Sequence, residues 1–238
     1  MFDYLKTYIE ILMEYKIEFL IGLGTTLLIA VISLFFAVLI GISVGYINFV
    51  PTKKKNFTFY LIKTLQWIGK EYIDLIRGTP LLVQAIFFYF GVVPIINKGI
   101  LGGQQMSPEI AGIIIISLNA GAFLAEIFRG GIQAIDTGQM EAARSLGLSF
   151  GKAMRKVILP QAIKNMIPAI LNQFITSLKD TSLLMVIGVA DLMGKGQIAF
   201  KTNYKTFETM LIIALIYYLV IKILSTLFKK IEGKLKVW

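Results

Sequence analysis

A long uncharged segment is the feature that most restricts how this chain can fold. No acidic or basic residue occurs between Phe19 and Thr52, and about 20 apolar residues already cross a bilayer as a helix. The whole chain is only 16% charged, whereas soluble domains have about 25% charged residues. This composition excludes a disordered or collagen-like chain, and the absence of cysteine excludes a disulfide-rich secreted scaffold. The sequence predicts a polytopic membrane protein.

The hydrophobic segments predict an all-α membrane helix bundle with five transmembrane spans. Residues 1–16 have apolar side chains at helical spacing and charged residues elsewhere, which predicts an amphipathic helix on the membrane surface. A helix from Tyr60 should lead into the second span, and Pro80 should kink that span. No long polar linker or internal repeat interrupts the chain, so we interpret residues 1–238 as one domain. The spans are predicted near residues 19–46, 72–91, 108–128, 167–190 and 207–228.

The charges between the spans predict the orientation of the chain. Three lysines, residues 53–55, follow the first span, and the connection after the third span has six basic and two acidic residues. The C-terminus is also basic, whereas the N-terminal segment is acidic. Because basic loops stay inside, we predict a multi-pass protein of the cell (plasma or inner) membrane with its N-terminus outside and its C-terminus in the cytoplasm. Lys195, Lys201 and Lys205 are an exception, since they would lie outside.

Several short motifs were tested against the chemistry that they require. The chain has no His and no Cys, which excludes imidazole or thiolate metal sites and Ser–His or Cys–His nucleophile pairs. No Gly-Lys pair is followed by Ser or Thr, as a P-loop requires. Ser149 lies in a Gly-x-Ser-x-Gly pattern, but in a helical connection and without a His to activate it. Gly41 and Gly45 fit a close helix–helix contact, or are simply small residues of a glycine-rich span. We expect no catalytic residue, no metal and no cofactor in this chain.

The connection between the third and fourth spans, residues 139–160, predicts a short helix held below the membrane. Gln139 to Leu146 consists largely of helix formers, Gly147 can end that helix, and Pro160 should force another break. The helix would expose Glu141 and small residues, which suits docking into a groove of a partner protein. A basic amphipathic loop on the lipid surface is the alternative interpretation.

This connection resembles the cytoplasmic signature of permease subunits from bacterial binding-protein-dependent ABC transporters. That signature is Glu-Ala-Ala, three residues, Gly, nine residues, and Ile-x-Leu-Pro, and Val157 stands here at the Ile position. Residues 72–84, 125–131 and 179–183 are similar to the polar amino-acid branch of the family, which takes up histidine, arginine or glutamine. The residues that match the signature, and that the resemblance implies to be ATPase-coupling residues, are Glu141, Ala142, Ala143, Gly147, Leu159 and Pro160.

The resemblance implies a set of partners. Residues 139–160 would form a coupling helix that enters a cleft on a cytoplasmic ABC ATPase subunit, and that subunit would bind ATP and magnesium. A second permease copy or paralogue, an extracytoplasmic amino-acid-binding protein, the lipid bilayer and an amino-acid substrate would be the other partners, with no role for nucleic acid. The alternative function is an ion-coupled amino-acid carrier or channel without an ATPase, which has no reason to display a coupling signature.

Polar residues within the spans indicate the substrate path, because an isolated charge at membrane depth costs about 2.5–3.5 kcal/mol. Asn119, Phe123 and Glu126 recur at helical spacing and so share a face of the third span. Acidic residues outnumber basic ones in the central spans, which favours a polar, basic L-amino acid as substrate. The predicted substrate-binding residues are Asp74, Thr79, Asn119, Phe123, Glu126 and Asp180.

Three of these residues are assigned separate roles. Glu126 is predicted to anchor the substrate side chain, Asp74 to help bind the α-ammonium group, and Thr79, beside a predicted kink, to receive the carboxylate. The alternative is structural ion pairing, in which Arg77 neutralises Asp74 and Arg129 neutralises Glu126 at a spacing of three residues on one helix.

Overall fold

A computed structural model describes residues 2–47, 49 and 57–235 of the chain. Lys53, Lys54 and Lys55, which support the predicted orientation, lie outside the described residues. The regular structure in the described ranges is helical, with π-helical turns at Phe87–Val92 and Met154–Ile158 and a 3₁₀ segment at Thr181–Ile187. The helices are α1 (Phe2–Ile47), α2 (Phe57–Arg77), α3 (Leu81–Ile86), α4 (Val93–Gly99), α5 (Pro108–Gln133), α6 (Thr137–Ser145), α7 (Phe150–Ala153), α8 (Leu159–Asp180), α9 (Leu192–Asn203) and α10 (Thr206–Leu235).

In the part of the chain that the structure describes, four helical stretches are long and apolar enough to cross a membrane, and a bent pair of stretches brings the number to five. The bend between the two members of the pair is 50°. This result confirms the predicted all-α bundle of membrane helices. The four stretches are Lys6–Ile47, Leu81–Gly99, Pro108–Gln133 and Thr206–Lys234, and the bent pair is Phe150–Ile187 with Leu192–Asn203.

The N-terminal segment differs from the predicted surface helix, because it forms the first turns of α1 without a break. No glycine or proline occurs before Gly22 to end a helix there. Ile11 and Phe19 are each 2% exposed and pack in a cluster that includes Leu192 and Ile213. Burial of these apolar side chains stabilises a continuous helix, and residues 1–16 are therefore not a separate element.

The second span begins later than predicted, because one helix ends before Pro80 and another starts after it. Pro80 therefore does more than kink a continuous helix. α2 ends at Arg77, Gly78 donates its N–H to the carbonyl of Asp74 at 2.9 Å, and α3 starts at Leu81. Pro80 has φ −65° and ψ 138°, an extended conformation that its ring permits and that a helix does not. α2 is a separate, charged helix, and the apolar span runs from Leu81 to Gly99.

Contacts divide the chain into two compact units, and the interpretation of residues 1–238 as one domain stays a prediction. The first unit comprises Met1–Leu34, Thr79–Ser117 and Phe174–Leu227, and the second comprises Phe35–Gly78, Leu118–Gln173 and Phe228–Trp238.

The first unit has two apolar clusters. One contains the fully buried Ile29 and Leu184, and the other contains Ile11 and Leu192. Gly112 of α5 lies close to the first cluster, since a Cβ atom there would approach Leu184 Cδ1 to 2.7 Å. Small residues thus allow these helices to pack closely.

The second unit is built around the contact of α1 with α5. A Cβ atom at Gly41 would lie 2.6 Å from Leu124 Cβ, and one at Gly45 would lie 2.7 Å from Phe128 Cδ1. The Gly-x-x-x-Gly pattern therefore marks a close helix–helix contact, as one of its two interpretations predicted. The second half of α5 also packs on Met166 of α8 in the apolar cluster of this unit.

Candidate functional site

The predicted coupling segment contains a helix whose two ends are both capped. At its start, Asp136 accepts a hydrogen bond from the N–H of Gly138 at 2.7 Å. At its end, Gly147 has φ +82°, the N–H of Gly147 bonds to the carbonyl of Arg144, and the N–H of Leu148 bonds to the carbonyl of Ala143. This pair of bonds is a Schellman motif, which requires the left-handed conformation that glycine adopts without strain. Gly147 therefore ends α6, as the sequence predicts.

The exposed side of α6 carries two of the six predicted coupling residues, Glu141 and Ala142. Glu141 and Ala142 are exposed, and Leu146 is 84% exposed at the end of the helix. Ala143 is only 4% exposed because its side of the helix faces the rest of the second unit, where α6 lies against the π-helical segment Met154–Ile158. The arrangement exposes a carboxylate and a protruding leucine on a short helix.

The predicted helix break at Pro160 is wrong, because Pro160 lies in the first turn of α8. α7, the π-helical turn and α8 follow one another without an interruption, and Leu159 and Pro160 begin α8. A π-helical turn widens the hydrogen-bond pattern just before the proline, where the missing N–H and the ring of Pro160 would disturb an α-helix. Gln161 still reaches α6, since its Nε2 donates to Gln139 Oε1 at 3.4 Å.

The second unit also contains a cleft of about 600 Å³ between α2 and the end of α5. Two predicted substrate-binding residues, Asp74 and Glu126, line it. Four of the lining side chains are basic and two are acidic, so the cleft carries an excess of positive charge. This corrects the expectation that acidic residues outnumber basic ones along the substrate path. The complete lining is Lys63, Gln66, Trp67, Lys70, Ile73, Asp74, Arg77, Glu126 and Arg129.

Both carboxylate oxygens of Glu126 have arginine partners. Arg129 donates from Nε to Oε1 at 3.0 Å and from Nη2 to Oε2 at 2.9 Å, which makes a bidentate pair. Arg77 Nη1 approaches Oε2 at 3.3 Å, and its guanidinium carbon lies 5.5 Å from the centre of the Phe123 ring. The Glu126–Arg129 pairing was one of the two alternatives that the sequence left open, whereas Arg77 pairs with Glu126 and not with Asp74 in the described part of the chain.

The shared face of Asn119, Phe123 and Glu126 follows from α5, which is continuous over all three residues. Asn119 is 7% exposed, and Glu126 is 26% exposed at its side chain. Asp74 is exposed on α2 and lines the same cleft as Glu126. Four of the six predicted substrate-binding residues thus lie in the second unit, and two of them, Asp74 and Glu126, line its cleft.

The other two predicted substrate-binding residues, Thr79 and Asp180, belong to the first unit. The hydroxyl of Thr79 accepts a hydrogen bond from Gln84 Nε2 at 2.9 Å, and the carbonyl of Thr79 accepts another at 3.0 Å. Asp180 is half-buried at the end of α8, where the 3₁₀ segment begins. Among residues 6–47, 49 and 57–234, no group of three or more acidic side chains could hold a metal ion.

Sequence reasoning missed two features. The first is the basic face of α2, formed by Lys63, Gln66, Trp67 and Lys70. These residues recur at helical spacing, and this spacing was a signal that the sequence offered. The second is Asp191, a fully buried acid to which no sequence motif assigned a role. The only signal for Asp191 was its place three residues before Gly194, which is typical of a helix N-cap.

Comparisons with known proteins agree with these features. Residues 57–237 match the family model described as binding-protein-dependent transport system inner membrane component. The chain is 39% identical to the arginine transport system permease protein ArtQ of Bacillus subtilis (strain 168), over 90% of this chain and 91% of the relative. It is 34% identical to the glutamine transport system permease protein GlnP of Escherichia coli (strain K12), over 91% and 92% of the two chains.

A solved structure is similar over nearly the whole chain. It is described as the crystal structure of an amino acid ABC transporter with histidines. The TM-score is 0.80 at 37% sequence identity, and the match covers 94% of this chain and 96% of that chain.

Proposed function

The chain belongs to the family of binding-protein-dependent transport system inner membrane components, and from this membership we propose the details of its activity. It is the permease subunit of an amino-acid ABC importer, and it moves polar, basic L-amino acids into the cytoplasm. ATP hydrolysis on a separate subunit drives this transport. A second permease chain and an extracytoplasmic amino-acid-binding protein complete the assembly.

The observation that carries the proposal is the capped, exposed helix α6. Its signature residues Glu141, Ala142 and Gly147 lie on a short rigid element with Leu146 protruding at 84% exposure. A rigid helix transmits a movement of its partner to α7 and to residues 159–173 of α8, which follow it in the same unit. An ion-coupled carrier has no use for such an element, so an ATPase-driven importer is the better explanation.

The contacts of Arg77 in the cleft support the proposal of a polar, cationic substrate. The Arg77 guanidinium lies over the Phe123 ring and against Glu126, which is the environment that a substrate guanidinium or ammonium group requires. Its contact with Glu126 is a single one at 3.3 Å, whereas Arg129 is held by two bonds. A substrate cation therefore replaces Arg77, and Arg129 keeps its place.

In this proposal the remaining polar groups orient the amino acid. Asp74 lines the same cleft and receives the α-ammonium group. Asn119 and Phe123 extend the site along α5. Thr79 and Asp180 remain proposed substrate-binding residues of the first unit.

The test is ATP-dependent uptake by the complete transporter in proteoliposomes. We expect Glu126→Gln to reduce arginine and lysine uptake about 10–100-fold, because a hydrogen bond to a charged group contributes about 1.5–3 kcal/mol. Arg77→Gln should lower the apparent KM for arginine, since the competing internal cation is removed. Glu71→Gln on the exposed surface of α2 is the matched control and should transport normally.

One result would overturn the proposed site. If Glu126→Gln and Asp74→Asn both keep wild-type uptake of arginine, lysine and histidine, the two acids are structural ion-pair partners. Uptake that continues without the ATPase subunit would contradict the importer itself and favour a carrier or channel.

A further inference from the structure

The carboxylate of an amino-acid substrate needs a cation, and four basic side chains line the cleft. Two of them are already engaged. Arg129 holds both carboxylate oxygens of Glu126 and also donates from Nη1 to Gln133 Oε1 at 3.1 Å. Arg77 contacts Glu126 and lies over the Phe123 ring. Within the described lining of the cleft, the two lysines of α2 are therefore the cations left for a carboxylate.

One of these lysines, Lys70, lies one helical turn before Asp74 on α2, and both residues line the cleft. Side chains four residues apart on a helix have Cβ atoms about 5–6 Å apart. In the described part of the chain, neither residue forms an ion pair. The two side chains thus place a cation beside an anion, which complements the carboxylate and ammonium groups on the α-carbon of an amino acid.

The other lysine, Lys63, is too far away to take part. It precedes Asp74 by eleven residues, which is about 16 Å along the helix axis. The carboxylate and the ammonium group of an amino acid are attached to the same carbon atom, so they cannot bridge that distance. Lys70 is therefore the lysine that suits a backbone bound at Asp74.

The position of Arg77 indicates that a ligand of arginine length fits between Asp74 and Glu126. Arg77 follows Asp74 by three residues on α2, so the two side chains start about 5–6 Å apart. From there its guanidinium group reaches Glu126 at 3.3 Å. A substrate whose backbone is bound beside Asp74 needs a side chain of similar length to reach the same carboxylate.

We propose that Lys70 binds the α-carboxylate of the substrate while Asp74 binds its α-ammonium group, so that the pair selects a complete α-amino acid. The assignment rests on the proposed function and extends it, since Glu126 recognises only the cationic end of the substrate side chain. A hydrogen bond between an ammonium group and a carboxylate is about twice as strong as a neutral one. Thr79 remains a proposed substrate contact of the first unit, and Lys70 supplies the charge that a hydroxyl lacks.

The experiment measures equilibrium binding of arginine and of agmatine to the purified complex of permease and ATPase. The extracytoplasmic binding protein is left out, because it would bind amino acids itself. Agmatine is arginine without the carboxyl group, so it keeps the guanidinium group that Glu126 recognises. The test variant is Lys70→Gln. Lys70→Arg keeps the positive charge, and Lys63→Gln is the matched control on the same helix face, out of reach of Asp74.

We expect wild type, Lys70→Arg and Lys63→Gln to bind arginine about tenfold more tightly than agmatine, because only arginine forms the bond to the cation. Lys70→Gln should weaken arginine binding by about the same factor and should not weaken agmatine binding. A wild type without this preference, or a Lys70→Gln variant that retains it, would overturn the proposal. An equal loss of preference in Lys63→Gln would overturn it too, since general positive charge would then explain the effect.

A failure of the proposed substrate site gives a different result. Glu126→Gln should weaken the binding of arginine and agmatine equally, because both ligands carry the guanidinium group. If Glu126→Gln changes neither, the proposed site is wrong, and the role of Lys70 falls with it. If Glu126→Gln weakens both while Lys70→Gln keeps the preference for arginine, only the role of Lys70 is wrong.

Discussion

At the residue scale, the carboxyl group of Asp191 connects several elements of the first unit. Its Oδ1 accepts the N–H of Gly194 at 2.9 Å and so caps α9. Its Oδ2 accepts hydroxyl groups of Tyr217 at 3.2 Å, Thr181 at 3.3 Å and Thr26 at 3.5 Å. Asp191 is fully buried, so each of these groups would lose a partner without gaining water if the carboxyl group were removed.

We predict that Asp191→Ala destabilises the protein by about 2–3 kcal/mol, because it leaves buried donors unsatisfied. Asp191→Asn keeps an oxygen for the N–H of Gly194 and should retain most of the stability. Thermal unfolding in detergent, with Glu71→Ala as a control at an exposed acid, measures the difference. Equal melting temperatures for the alanine variant and wild type would show that the buried cluster contributes nothing.

At the element scale, the capped ends of α6 stabilise this helix more than its length does. It has nine residues, and an isolated helix this short is marginal in water. The Asp136 cap, the Schellman motif at Gly147 and the packing of Ala143 compensate for this. The π-helical turn before Pro160 has a similar local role, since it lets α7 and α8 continue past a proline.

We predict that Glu141→Lys and Gly147→Arg each abolish substrate-stimulated ATP hydrolysis by the assembled transporter. The first reverses a charge on the exposed face of α6, and the second places a side chain at φ +82°, which costs roughly 1 kcal/mol and disturbs the helix end. The assay is ATPase activity with and without substrate.

Two controls accompany this measurement. Membrane insertion and complex formation are checked separately, and Gly24→Ala serves as a tolerated glycine replacement, because a Cβ atom there meets nothing within 4 Å. Normal stimulation in both coupling variants would remove α6 from the coupling mechanism.

At the scale of the whole molecule, the family and the helical membrane architecture agree with the sequence-based predictions. The match to the family model covers residues 57–237, and four or five helical stretches among the described residues are long and apolar enough to cross a membrane. The chain is therefore an inner membrane component of an ABC transporter. The direction in which it crosses the membrane stays a prediction, since it rests on loop charge alone.

Cysteine labelling tests this orientation, because the chain has no native cysteine. A cysteine at Ser149 or Lys234 should react only with reagents that reach the cytoplasm, and one at Glu10 or Lys98 only with reagents added outside. All four residues are exposed. The opposite pattern would place α6 outside, where it could not meet a cytoplasmic ATPase.

The sequence by itself determined the membrane class, the approximate spans, the helix that ends at Gly147 and the acids of the cleft. These features depend on hydropathy and helix ends, which are properties of neighbouring residues. Only the tertiary structure decided which cations meet Glu126, since Arg77 comes from another helix. It also decided that the helical structure is interrupted at Pro80 but continues through Pro160. A proline removes one backbone hydrogen bond. The packing around it decides whether the helix ends there or continues through a wider π-helical turn.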